Sequence, residues 1–500
     1  MLNEFYKQFK SGTDIRGVAS EGVEGQPVNL TDDVLCNMAD GFVLWLAKKV
    51  NKAPDALKIA VGRDSRISGP HIMALMTERF CKAGAQVIRC GLASTPSMFM
   101  TTVELGCDGA LQITASHHPF NRNGLKFFTR QGGLEGSDIE EILTFAQDDC
   151  HPEEKSGGVI EDYDFMTDYA KGLRETIKRG VNAEDYDHPL RGFHIVVDAG
   201  NGAGGFYADK VLAPLGADTT GSRYLDPDGM FPNHVPNPED ATAMASICEA
   251  VRESNADLGV IFDTDVDRGG AVDNKGNEIN RNRLVAVAAA IALEGNDGGT
   301  IVTDSITSSG LKEFIETNLG GKHYRYRRGY KNVIDKALEL NEQGVNCPLA
   351  IETSGHAALR ENFFLDDGAY LCTKIIIKAA QLRAEGKELD ALTADLKEPL
   401  ESREIRYKIT EKDFRACGER IIEQLTAYAE QQDGWQLADD NREGVRVSFG
   451  KDNGDGWFLL RLSVHDPIMP LNIESDSKGG VDKILAQLKA FLQTTTGLEL

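Results

Sequence analysis

Apolar and polar positions follow two alternating patterns along most of the chain. From about residue 35 to about residue 390, apolar runs of strand length are followed by amphipathic segments of helix length. This alternation predicts α/β layers built on largely parallel strands. An apolar strand, an aspartate, a turn rich in glycine or serine and a helix start recur three times, at 59–64, 195–198 and 301–304. The repeat predicts three related α/β domains with mixed, largely parallel sheets.

The pattern changes near residue 400. The charged stretch 397–406 is typical of a linker, and a helix is predicted near 411–432. Two strands are predicted at 444–448 and 457–462, and a last helix at about 480–492. These elements predict a smaller C-terminal α+β domain. The expected domains are 1–170, 171–281, 282–400 and 401–500.

Composition narrows the classes of protein that the chain can belong to. Of its 500 residues, 41% are hydrophobic and 26% are charged, as in ordinary globular proteins. The longest apolar run, 284–293, is too short to cross a bilayer, and the first residues lack the apolar region of a secretory signal. Nine cysteines without a C-x-x-C pair fit reduced thiols, so we expect a cytoplasmic protein.

Net charge bears on the partners. The formal charge of −24 disfavours nucleic acid and anionic membranes as partners. It also sets a condition on any phosphate ester substrate, because the site for such a substrate must then be locally basic.

A serine-containing loop is the first candidate for chemistry. Ser116 follows a predicted strand at 110–113, and His117, His118 and then Lys126 follow it along the chain. A serine at the end of a strand, beside two imidazoles and an ammonium, is placed for phosphoryl or acyl transfer. An ordinary polar turn is the plain alternative.

An acidic loop is the second candidate. Asp263, Asp265 and Asp267 follow a strand-like apolar run at alternate positions, so in an extended chain they would line one face, several ångströms apart. They can converge on one ion only if the chain curls, which we expect Gly269 and Gly270 to permit. Hard oxygen ligands of this kind suit Mg²⁺. A solvated acidic turn is the plain alternative.

The acidic loop also permits a different enzyme class. An apolar strand followed by D-x-D-x-[TV] resembles the haloacid-dehalogenase phosphatases, in which Asp263 would be the nucleophile and Asp265 the acid/base. That interpretation leaves Asp267 and the adjacent Arg268 unexplained, and it stays open as an alternative.

A glycine-rich turn at 198–205 matches G-x-G-x-x-G, and Asp226 lies about twenty residues further on. Such spacing is found in dinucleotide sites, but glycines serve any tight strand-to-helix turn. An unusual stretch at 226–233 follows in place of a short βαβ unit, so NAD binding is disfavoured. The chain has no Walker A sequence.

A third loop follows another apolar segment and carries Glu352, Ser354 and His356. A carboxylate and a hydroxyl on a glycine-containing loop can hydrogen-bond the vicinal hydroxyls of a sugar. The imidazole of His356 could act as an acid/base near neutral pH. An unremarkable loop is the plain alternative.

A fourth loop lies at the end of a predicted strand in the last domain and carries Arg461, Ser463 and His465. A guanidinium, a hydroxyl and an imidazole at alternate positions point to one side of an extended segment. They would form a workable grip for a phosphate. A strand end whose polar groups are satisfied within the protein is the alternative.

Taken together and in this order, the loops resemble those of the α-D-phosphohexomutase superfamily, the phosphoglucomutases and phosphomannomutases. The four main matches are T-A-S-H-N-P with N-G-x-K at 114–119 and 123–126, D-G-D-x-D-R at 263–268, G-E-x-S-G-H at 351–356 and R-P-S-G-T-E-P at 461–467. Lesser matches lie at 12–17, 61–66, 198–205, 231–234 and 236–239. The resemblance spans nearly the whole chain.

The resemblance implies four domains, three α/β and a smaller C-terminal one, around a central cleft. It implies that Ser116 is a phosphoserine at a Mg²⁺ site whose ligands are the side chains of Ser116, Asp263, Asp265 and Asp267. The residues implied in catalysis are Ser116, His117, Lys126, Arg268 and His356. Those implied in substrate binding are Arg16, Glu352, Ser354, Arg461, Ser463 and His465.

The implied activity is interconversion of hexose 1-phosphate and hexose 6-phosphate by a cytoplasmic monomer or homodimer. A hexose 1,6-bisphosphate would be the intermediate and the activator, and the partner would be a small phosphosugar rather than nucleic acid or membrane. Departures from the family pattern at His118, Tyr330, Val464 and His465 leave the preferred hexose open. A sugar-phosphate-binding paralogue without turnover remains a further alternative.

Overall fold

A computed structural model describes residues 1–463 and 466–499 and divides the chain into two compact units. The first unit contains Met1–Leu284 and Ser354–Ala391, and the second contains Val285–Thr353 and the chain from Leu392 onward. Each unit is described by itself below. Within the described residues, no helix combines the length and the apolar character that crossing a membrane requires.

The first unit begins with an eight-stranded mixed sheet. Its strands are β1 (Lys10–Ser11), β2 (Asp14–Val18), β3 (Lys58–Arg63), β4 (Gln86–Leu92), β5 (Gly109–Ile113), β6 (Arg122–Thr129), β7 (Gly132–Gly133) and β8 (Val159–Asp162). Their order is β1-β2-β6-β5-β3-β4-β8, and β7 pairs with β6. The neighbours β5, β3, β4 and β8 run parallel, whereas β6 is antiparallel to both β5 and β2. The carboxyl ends of β3, β4 and β5 therefore meet at one edge of the sheet.

Six helices accompany this sheet. They are α1 (Glu4–Lys7), α2 (Asp32–Val50), α3 (Gly69–Lys82), α4 (Thr95–Glu104), α5 (Gly136–Gln147) and α6 (Phe165–Val181). The apolar faces of α2, α3 and α5 pack with β3, β5 and β6 in one continuous core that includes Phe42, Phe80 and Phe127. The start of α4 is fixed by the Ser94 side chain, which accepts a hydrogen bond from the Ser97 backbone N–H, and by Pro96 in its first turn.

A second sheet in the first unit has four strands in the order β12-β11-β10-β9. They are β9 (Ile195–Asp198), β10 (Leu258–Phe262), β11 (Gly269–Asp273) and β12 (Glu278–Ile279), and β9 is parallel to β10. Helix α7 (Ala241–Ser254) packs on this sheet through Ala243, Ile247 and Val251. Helix α8 (Arg281–Leu293) follows in the chain.

The second unit contains parallel strands and an antiparallel sheet. The parallel strands are β13 (Thr300–Thr303), β14 (Lys322–Arg325) and β15 (Leu349–Ile351), accompanied by α9 (Ser309–Glu313) and α10 (Tyr330–Glu342). Between β15 and the last sheet, the chain returns to the first unit and forms β16 (Ala357–Leu359), β17 (Leu365–Asp366) and α11 (Gly368–Ala384).

The last sheet lies in the second unit and has the order β19-β20-β21-β22-β18-β23, with every pairing antiparallel. Its strands are β18 (Glu401–Ile409), β19 (Trp435–Leu437), β20 (Val445–Phe449), β21 (Gly456–Leu460), β22 (Ile468–Ser475) and β23 (Leu498–Glu499). Helices α12 (Phe414–Ala429) and α13 (Gly480–Thr494) cover the core that contains Ile421, Phe458 and Leu488.

The predicted fold class is confirmed, with one local correction. The three repeated strands are β3, β9 and β13, and the C-terminal part is an α+β arrangement, as the sequence pattern predicts. The linker predicted at 397–406 is wrong in its second half, because the chain from Glu401 is already paired with β22. Its charged side chains are tolerated because Arg403, Glu404 and Arg406 are exposed, and the strand packs on the core only through Ile405 and the residues beyond it. The four domain boundaries stay a prediction.

Candidate active site

Ser116 lies immediately beyond β5, in the loop that leads to β6. Its side chain is 2% exposed, and its Oγ donates to Asp263 Oδ2 at 3.0 Å. The same oxygen lies 3.3 Å from His117 Nδ1. The backbone φ of Ser116 is +49°, in the left-handed region that costs free energy for a residue other than glycine. Surrounding contacts must therefore hold the loop in this shape.

Arg66 supplies most of those contacts. Its side chain is fully buried, and its guanidinium donates to the carbonyl oxygens of Ser116 at 2.5 Å and His118 at 2.6 Å. It also donates to the carbonyls of Pro119 at 2.7 Å and Arg122 at 2.9 Å. One planar side chain with several donors thus binds four carbonyls of the serine loop, which an ammonium could not do in the same geometry.

Asp64, at the end of β3, completes this support. Its Oδ2 accepts from the Thr114 hydroxyl at 2.7 Å and lies 3.2 Å from Arg66 Nε, and its Oδ1 accepts from the Arg66 backbone N–H. The Thr114 hydroxyl oxygen in turn accepts from the Ser116 backbone N–H at 3.0 Å. Burial raises the pKa of Asp64 to about 6, although Arg66 opposes that shift. The carboxyl end of β3 is therefore tied directly to the serine.

The acidic loop between β10 and β11 does curl, but for a different reason from the one expected. Gly269 and Gly270 lie in β11, and the turn is made at Val266, whose φ is +70°. Such a conformation is strained for a β-branched residue. The glycine at 269 serves close packing instead, because a Cβ there would lie 2.7 Å from the Gly368 carbonyl oxygen and 2.9 Å from Cys372 Sγ.

The curl brings three carboxylates together. Asp263, Asp265 and Asp267 are fully buried and offer ligand atoms that lie within 4.8 Å of one another. Asp265 Oδ2 accepts from the Thr95 hydroxyl at 2.5 Å, and Asp267 Oδ2 accepts from Lys126 Nζ at 2.6 Å. The other oxygen of each, Oδ1, is buried without a hydrogen-bond partner among the described residues. Buried acceptors of this kind are costly unless a cation compensates them, so these residues fit a divalent metal ion.

The pKa values of Asp263 and Asp267 are shifted in opposite directions. Burial, together with Asp267 and Asp265, raises the pKa of Asp263 well above its usual value. Burial also opposes ionisation of Asp267, but Lys126, His356 and Arg268 outweigh it and hold the pKa of Asp267 below its usual value. Nearby positive side chains thus favour the ionised form of Asp267, whereas burial and the neighbouring carboxylates disfavour that of Asp263.

Arg268 follows the acidic loop directly and is 9% exposed. Its backbone N–H donates to Asp263 Oδ1 at 3.3 Å, and its Nε donates to His356 Nε2 at 2.9 Å. His356 Nδ1 lies 2.6 Å from Asp366 Oδ2. Burial lowers the pKa of His356, but Asp366 and Asp267 more than offset this and raise it. Both ring nitrogens of His356 are therefore engaged within the protein, Nε2 by Arg268 and Nδ1 by Asp366.

Two further histidines and an arginine lie beside the serine. Arg268, burial and His118 lower the pKa of His117 far below its usual value. Burial, followed by Arg16 and Arg66, lowers the pKa of His118 to about 3. Both imidazoles are therefore neutral near pH 7, and the positive charge at the site comes from arginine and lysine. The Arg16 side chain pairs with Asp14 at 3.1 Å.

The glycine-rich turn at 198–205 supports the acidic loop. The backbone N–H of Ala203 donates to the Thr264 carbonyl at 2.8 Å, and a Cβ on Gly202 would lie 2.6 Å from that oxygen. The glycine spacing therefore serves a close approach between two loops. This use accounts for the spacing without a dinucleotide.

His234 fixes the segment that follows this turn by contacts of both its ring nitrogens. His234 Nε2 lies 3.0 Å from Asp198 Oδ1, and its Nδ1 lies 2.9 Å from the Val235 carbonyl. Burial opposes the charge on His234, but Asp198 outweighs it, so the pKa of His234 is raised. Further along the segment, Asn237 Oδ1 accepts from Arg268 at 3.4 Å.

Two predicted binding residues of the second unit lie in separate settings. Glu352 is 3% exposed, and its Oε1 accepts from the Gly329 backbone N–H at 2.6 Å, at the start of α10. Arg461 follows β21 and is 7% exposed. Within residues 1–463 and 466–499, its Nε has no hydrogen-bond partner. Burial lowers the pKa of Arg461, and the nearby Arg328 lowers it further, while Glu443 opposes the shift.

The loop that carries Arg461 is held mainly by its backbone. The N–H of Arg461 donates to the Pro470 carbonyl at 3.1 Å, and that of Ser463 donates to the Ile468 carbonyl at 3.0 Å. Val464 and His465 lie outside the described residues. The Ser463 hydroxyl oxygen accepts from the Asp466 backbone N–H at 3.3 Å.

The structure thus brings most of the predicted catalytic residues together in the first unit. These are Ser116, His117, Lys126, Asp263, Asp265, Asp267, Arg268 and His356. Ser354 is buried in the same unit, two residues before His356. The roles of these residues, of Arg16 and of the second-unit residues stay predictions.

The sequence interpretation missed several supporting residues. Thr95 and Asp366 were not singled out, and the segments that contain Arg66, Asp64 and His234 were named without a role. One signal was available for Thr95: Ser94-Thr95-Pro96 marks a helix start directly after β4, at the strand edge where the serine also lies. No comparable sequence signal marks Val266 or Asp366.

Comparison with known families gives matches along most of the chain. Three consecutive family descriptions match, all of phosphoglucomutase/phosphomannomutase alpha/beta/alpha domains. Domain I matches residues 7–149, domain II residues 168–276 and domain III residues 280–399.

Individual relatives align with this chain over most of the length of both proteins. A phosphomannomutase/phosphoglucomutase of Pseudomonas aeruginosa is 30% identical over 440 residues, which are 86% of this chain and 87% of that protein. A phosphoglucomutase of Neisseria meningitidis serogroup A is 28% identical over 487 residues, covering 97% and 96%. A crystal structure of a phosphoglucomutase/phosphomannomutase family protein from Burkholderia thailandensis aligns over 100% of both chains, with 25% identity and a TM-score of 0.80.

Proposed function

The chain belongs to the phosphoglucomutase/phosphomannomutase family, and we propose that it interconverts hexose 1-phosphate and hexose 6-phosphate through a phosphoserine. Membership makes it a phosphohexomutase, an enzyme of the isomerase class. The observation that carries the mechanism is the 3.0 Å hydrogen bond from Ser116 Oγ to Asp263, inside a buried cluster that also contains Lys126 and Arg268.

In the proposed cycle, the phosphoryl group on Ser116 Oγ passes to the free hydroxyl of a hexose monophosphate. As the new P–O bond forms, the bond from phosphorus to Ser116 Oγ breaks, and the proton lost by the sugar hydroxyl ends on Ser116 Oγ. The product is a hexose 1,6-bisphosphate. After the bisphosphate reorients, the phosphoryl at its other end returns to Ser116 Oγ. The two transfers regenerate the phosphoenzyme, so the same bisphosphate can load an unphosphorylated enzyme and act as its activator.

This chain's own residues would stabilise the transfer by position and charge. Arg66 and Asp64 hold the serine loop, so Ser116 needs little rearrangement before it reacts. Lys126 and Arg268 place two positive groups beside the three carboxylates, where a phosphoryl carries its charge. The Asp366–His356 pair orients the Arg268 guanidinium, and His356 would act as the acid/base for the sugar hydroxyl once Arg268 releases its Nε2.

Asp263, Asp265 and Asp267 are the proposed ligands of a Mg²⁺ ion, with the oxygen of Ser116 or its phosphoryl completing the set. When bound, the ion would neutralise negative charge on the transferring phosphoryl group. Oxygen-only, carboxylate-rich donors of this kind are those that Mg²⁺ prefers. The two unpartnered buried oxygens, Asp265 Oδ1 and Asp267 Oδ1, support this assignment.

Substrate recognition is proposed for a second set of side chains. Glu352 and Ser354 would bind sugar hydroxyls, Arg16 would contact a phosphate, and Arg461 with Ser463 would hold the non-reacting phosphate. His465 belongs to the same proposal but lies outside the described residues. The buried Arg461 guanidinium supports it, because a dianion would supply the partner that its Nε lacks among the described residues. We also propose a cytoplasmic location.

The test of the proposed function uses purified protein with glucose 1-phosphate, mannose 1-phosphate and glucosamine 1-phosphate, each with a trace of its 1,6-bisphosphate. We expect conversion to the 6-phosphate for at least one sugar, and intact mass should show one phosphoryl on Ser116 after bisphosphate treatment. A phosphoryl on Asp263 with release of inorganic phosphate would favour the phosphatase alternative. Binding of the sugar phosphates without conversion would indicate the non-catalytic paralogue.

A further inference from the structure

In two of the three carboxylates, one oxygen is already taken by the protein. Asp265 Oδ2 accepts from the Thr95 hydroxyl at 2.5 Å, and Asp267 Oδ2 accepts from Lys126 Nζ at 2.6 Å. The other oxygen of each carboxylate, Oδ1, is buried and has no hydrogen-bond partner in the described chain. Each of these side chains therefore has one oxygen free of hydrogen bonds, and a metal ion that also used Oδ2 would compete with the donor already there.

Thr95 holds Asp265 at two points. Besides the hydrogen bond between side chains, the Thr95 backbone N–H donates to the Asp265 carbonyl at 2.8 Å. Thr95 is the first residue of α4 and is 2% exposed. The preceding residue, Ser94, caps the helix with its side chain. The threonine is thus fixed by its own helix, and its hydroxyl cannot follow the carboxylate if that group turns.

The number of oxygens that a carboxylate presents bears on which cation it prefers. Ca²⁺ takes six to eight oxygen ligands and commonly binds carboxylates through both oxygens, whereas Mg²⁺ requires a small octahedral shell and keeps several waters. A site in which two of the three carboxylates each offer one oxygen free of hydrogen bonds is poorer in ligands for Ca²⁺ than one with bidentate carboxylates, and it is sufficient for Mg²⁺.

We propose that Thr95 is a selectivity-determining residue, which occupies Asp265 Oδ2 and so makes the acidic site favour Mg²⁺ over Ca²⁺. Lys126 does the same for Asp267. The inference rests on the metal site of the proposed function and adds the residue that decides which divalent cation the site accepts. Thr95 is a positioning residue, because it acts on the metal through Asp265.

The inference is tested by direct titration of the unphosphorylated protein with Mg²⁺ and with Ca²⁺, using isothermal calorimetry without substrate. In Thr95→Val the shape of the side chain is kept and the donor is lost, so Asp265 Oδ2 becomes available. Since a hydrogen bond to a charged group corresponds to about tenfold or more in affinity, we expect the ratio of the Ca²⁺ to the Mg²⁺ dissociation constant to fall about tenfold.

Two matched variants separate this effect from a general change in the helix. Thr95→Ser keeps the hydroxyl and should keep the wild-type ratio. Thr102→Val removes another buried hydroxyl of α4, which donates to the Phe99 carbonyl at 2.7 Å, and should also keep it. A threonine that only stabilises the helix would lower the melting temperature in both valine variants and leave both ratios unchanged.

An unchanged ratio in a folded Thr95→Val protein overturns the inference, even if mutase activity and Mg²⁺ binding of the wild type stand. If Thr95→Val does not fold, Lys126→Met tests the same idea at Asp267, and an unchanged ratio there overturns it equally. A wild type that binds neither cation would overturn the proposed metal site as well. In that case, mutase activity would be measured with EDTA present. Activity under these conditions would show that the proposed reaction takes place without the metal.

Discussion

The acidic loop in the proposed reaction centre of the first unit and the Arg461 loop of the second unit differ in the kind of charged side chain that each leaves incompletely hydrogen-bonded. In the acidic loop these are carboxylates, whose acceptor atoms Asp265 Oδ1 and Asp267 Oδ1 have no hydrogen bond among the described residues. In the Arg461 loop, as far as the structure describes it, the atom is a donor, Nε of Arg461. Since a buried unpaired group is costly, each site indicates the charge that would relieve it: a cation in the first, an anion in the second.

The two regions also differ in how firmly their side chains are held. In the reaction centre, Arg66, Thr95 and Lys126 fix the serine loop and two carboxylates by side-chain hydrogen bonds. The Arg461 loop is tied to the neighbouring strand by backbone bonds at Arg461 and Ser463. We therefore expect changes in the first region to act mainly on kcat, and changes in the second to act mainly on KM.

The largest effect is expected for Ser116→Ala. The variant loses the covalent route, so turnover should fall by about 10³-fold or more, and intact mass should show no added phosphoryl after bisphosphate treatment. Ser97→Ala is the matched control, since Ser97 is a fully buried serine of α4 whose hydroxyl donates to the Ser94 carbonyl. Retained phosphorylation in Ser116→Ala would show that another residue accepts the phosphoryl group. The contrast between the two regions would then no longer describe the reaction.

A smaller effect is expected for Arg66→Lys. An ammonium cannot donate to four carbonyls in the plane of a guanidinium, so the serine loop should relax and kcat should fall about 100-fold, the cost of a misplacement of about 1 Å. KM should change little, and calorimetric Mg²⁺ affinity should be kept.

The control for Arg66→Lys is Arg79→Lys, which changes an arginine of α3 that pairs with Asp40 of α2. It should leave kcat unchanged. An Arg66→Lys protein whose loss is confined to KM would mean that Arg66 supports binding rather than the position of the serine.

Arg461→Ala should have its main effect on KM. If the guanidinium holds a phosphate, its loss removes a charge-assisted contact, and kcat/KM should fall about 10- to 150-fold in steady-state assays. Arg403→Ala removes a more exposed arginine of the same sheet, which pairs with Asp482, and should be neutral. Wild-type kinetics in Arg461→Ala would remove the proposed phosphate grip from this loop.

The smallest effect is a pH dependence of stability at His234. The pKa of His234 is raised in the folded protein, so the contribution of its ion pair with Asp198 is fully present below the unfolded pKa of about 6.5. It is lost as the pH rises through the folded pKa. The difference in unfolding free energy between the wild type and His234→Gln should therefore be largest near pH 5.5 and shrink towards pH 9 in urea titrations.

His71→Gln is the control for this measurement, because His71 also pairs with an aspartate, Asp32, but is exposed. Its effect should be small at every pH. A His234→Gln difference that does not vary with pH would show that the histidine acts through packing alone.

Strand-ending aspartates and loop motifs could be located from the sequence because they are local. The strands before Ser116 and Asp263 are short, largely apolar runs that are followed directly by polar residues, and side-chain chemistry follows from residue type. The parallel α/β class follows from the same alternation, since parallel strands are buried on both faces. The linker at 397–406 was mispredicted because charged residues are equally compatible with the exposed face of a strand.

Tertiary structure alone decided how these loops are held. Val266 has no sequence signal for a left-handed conformation. The hydrogen bonds of Arg66 to the Ser116 carbonyl and of Thr95 to Asp265 join positions 50 and 170 residues apart, and that between Asp366 and His356 joins positions on two different strands or their ends, 10 residues apart. The sequence by itself determined the fold class and the chemical groups of the reaction centre, because both depend on residue type and local order. Only the folded chain decided which oxygen of Asp265 and of Asp267 is left without a hydrogen bond, and that Arg66 is the arginine that binds the serine loop. Hydrogen bonds select their partners by distance and angle, which no spacing in the sequence encodes.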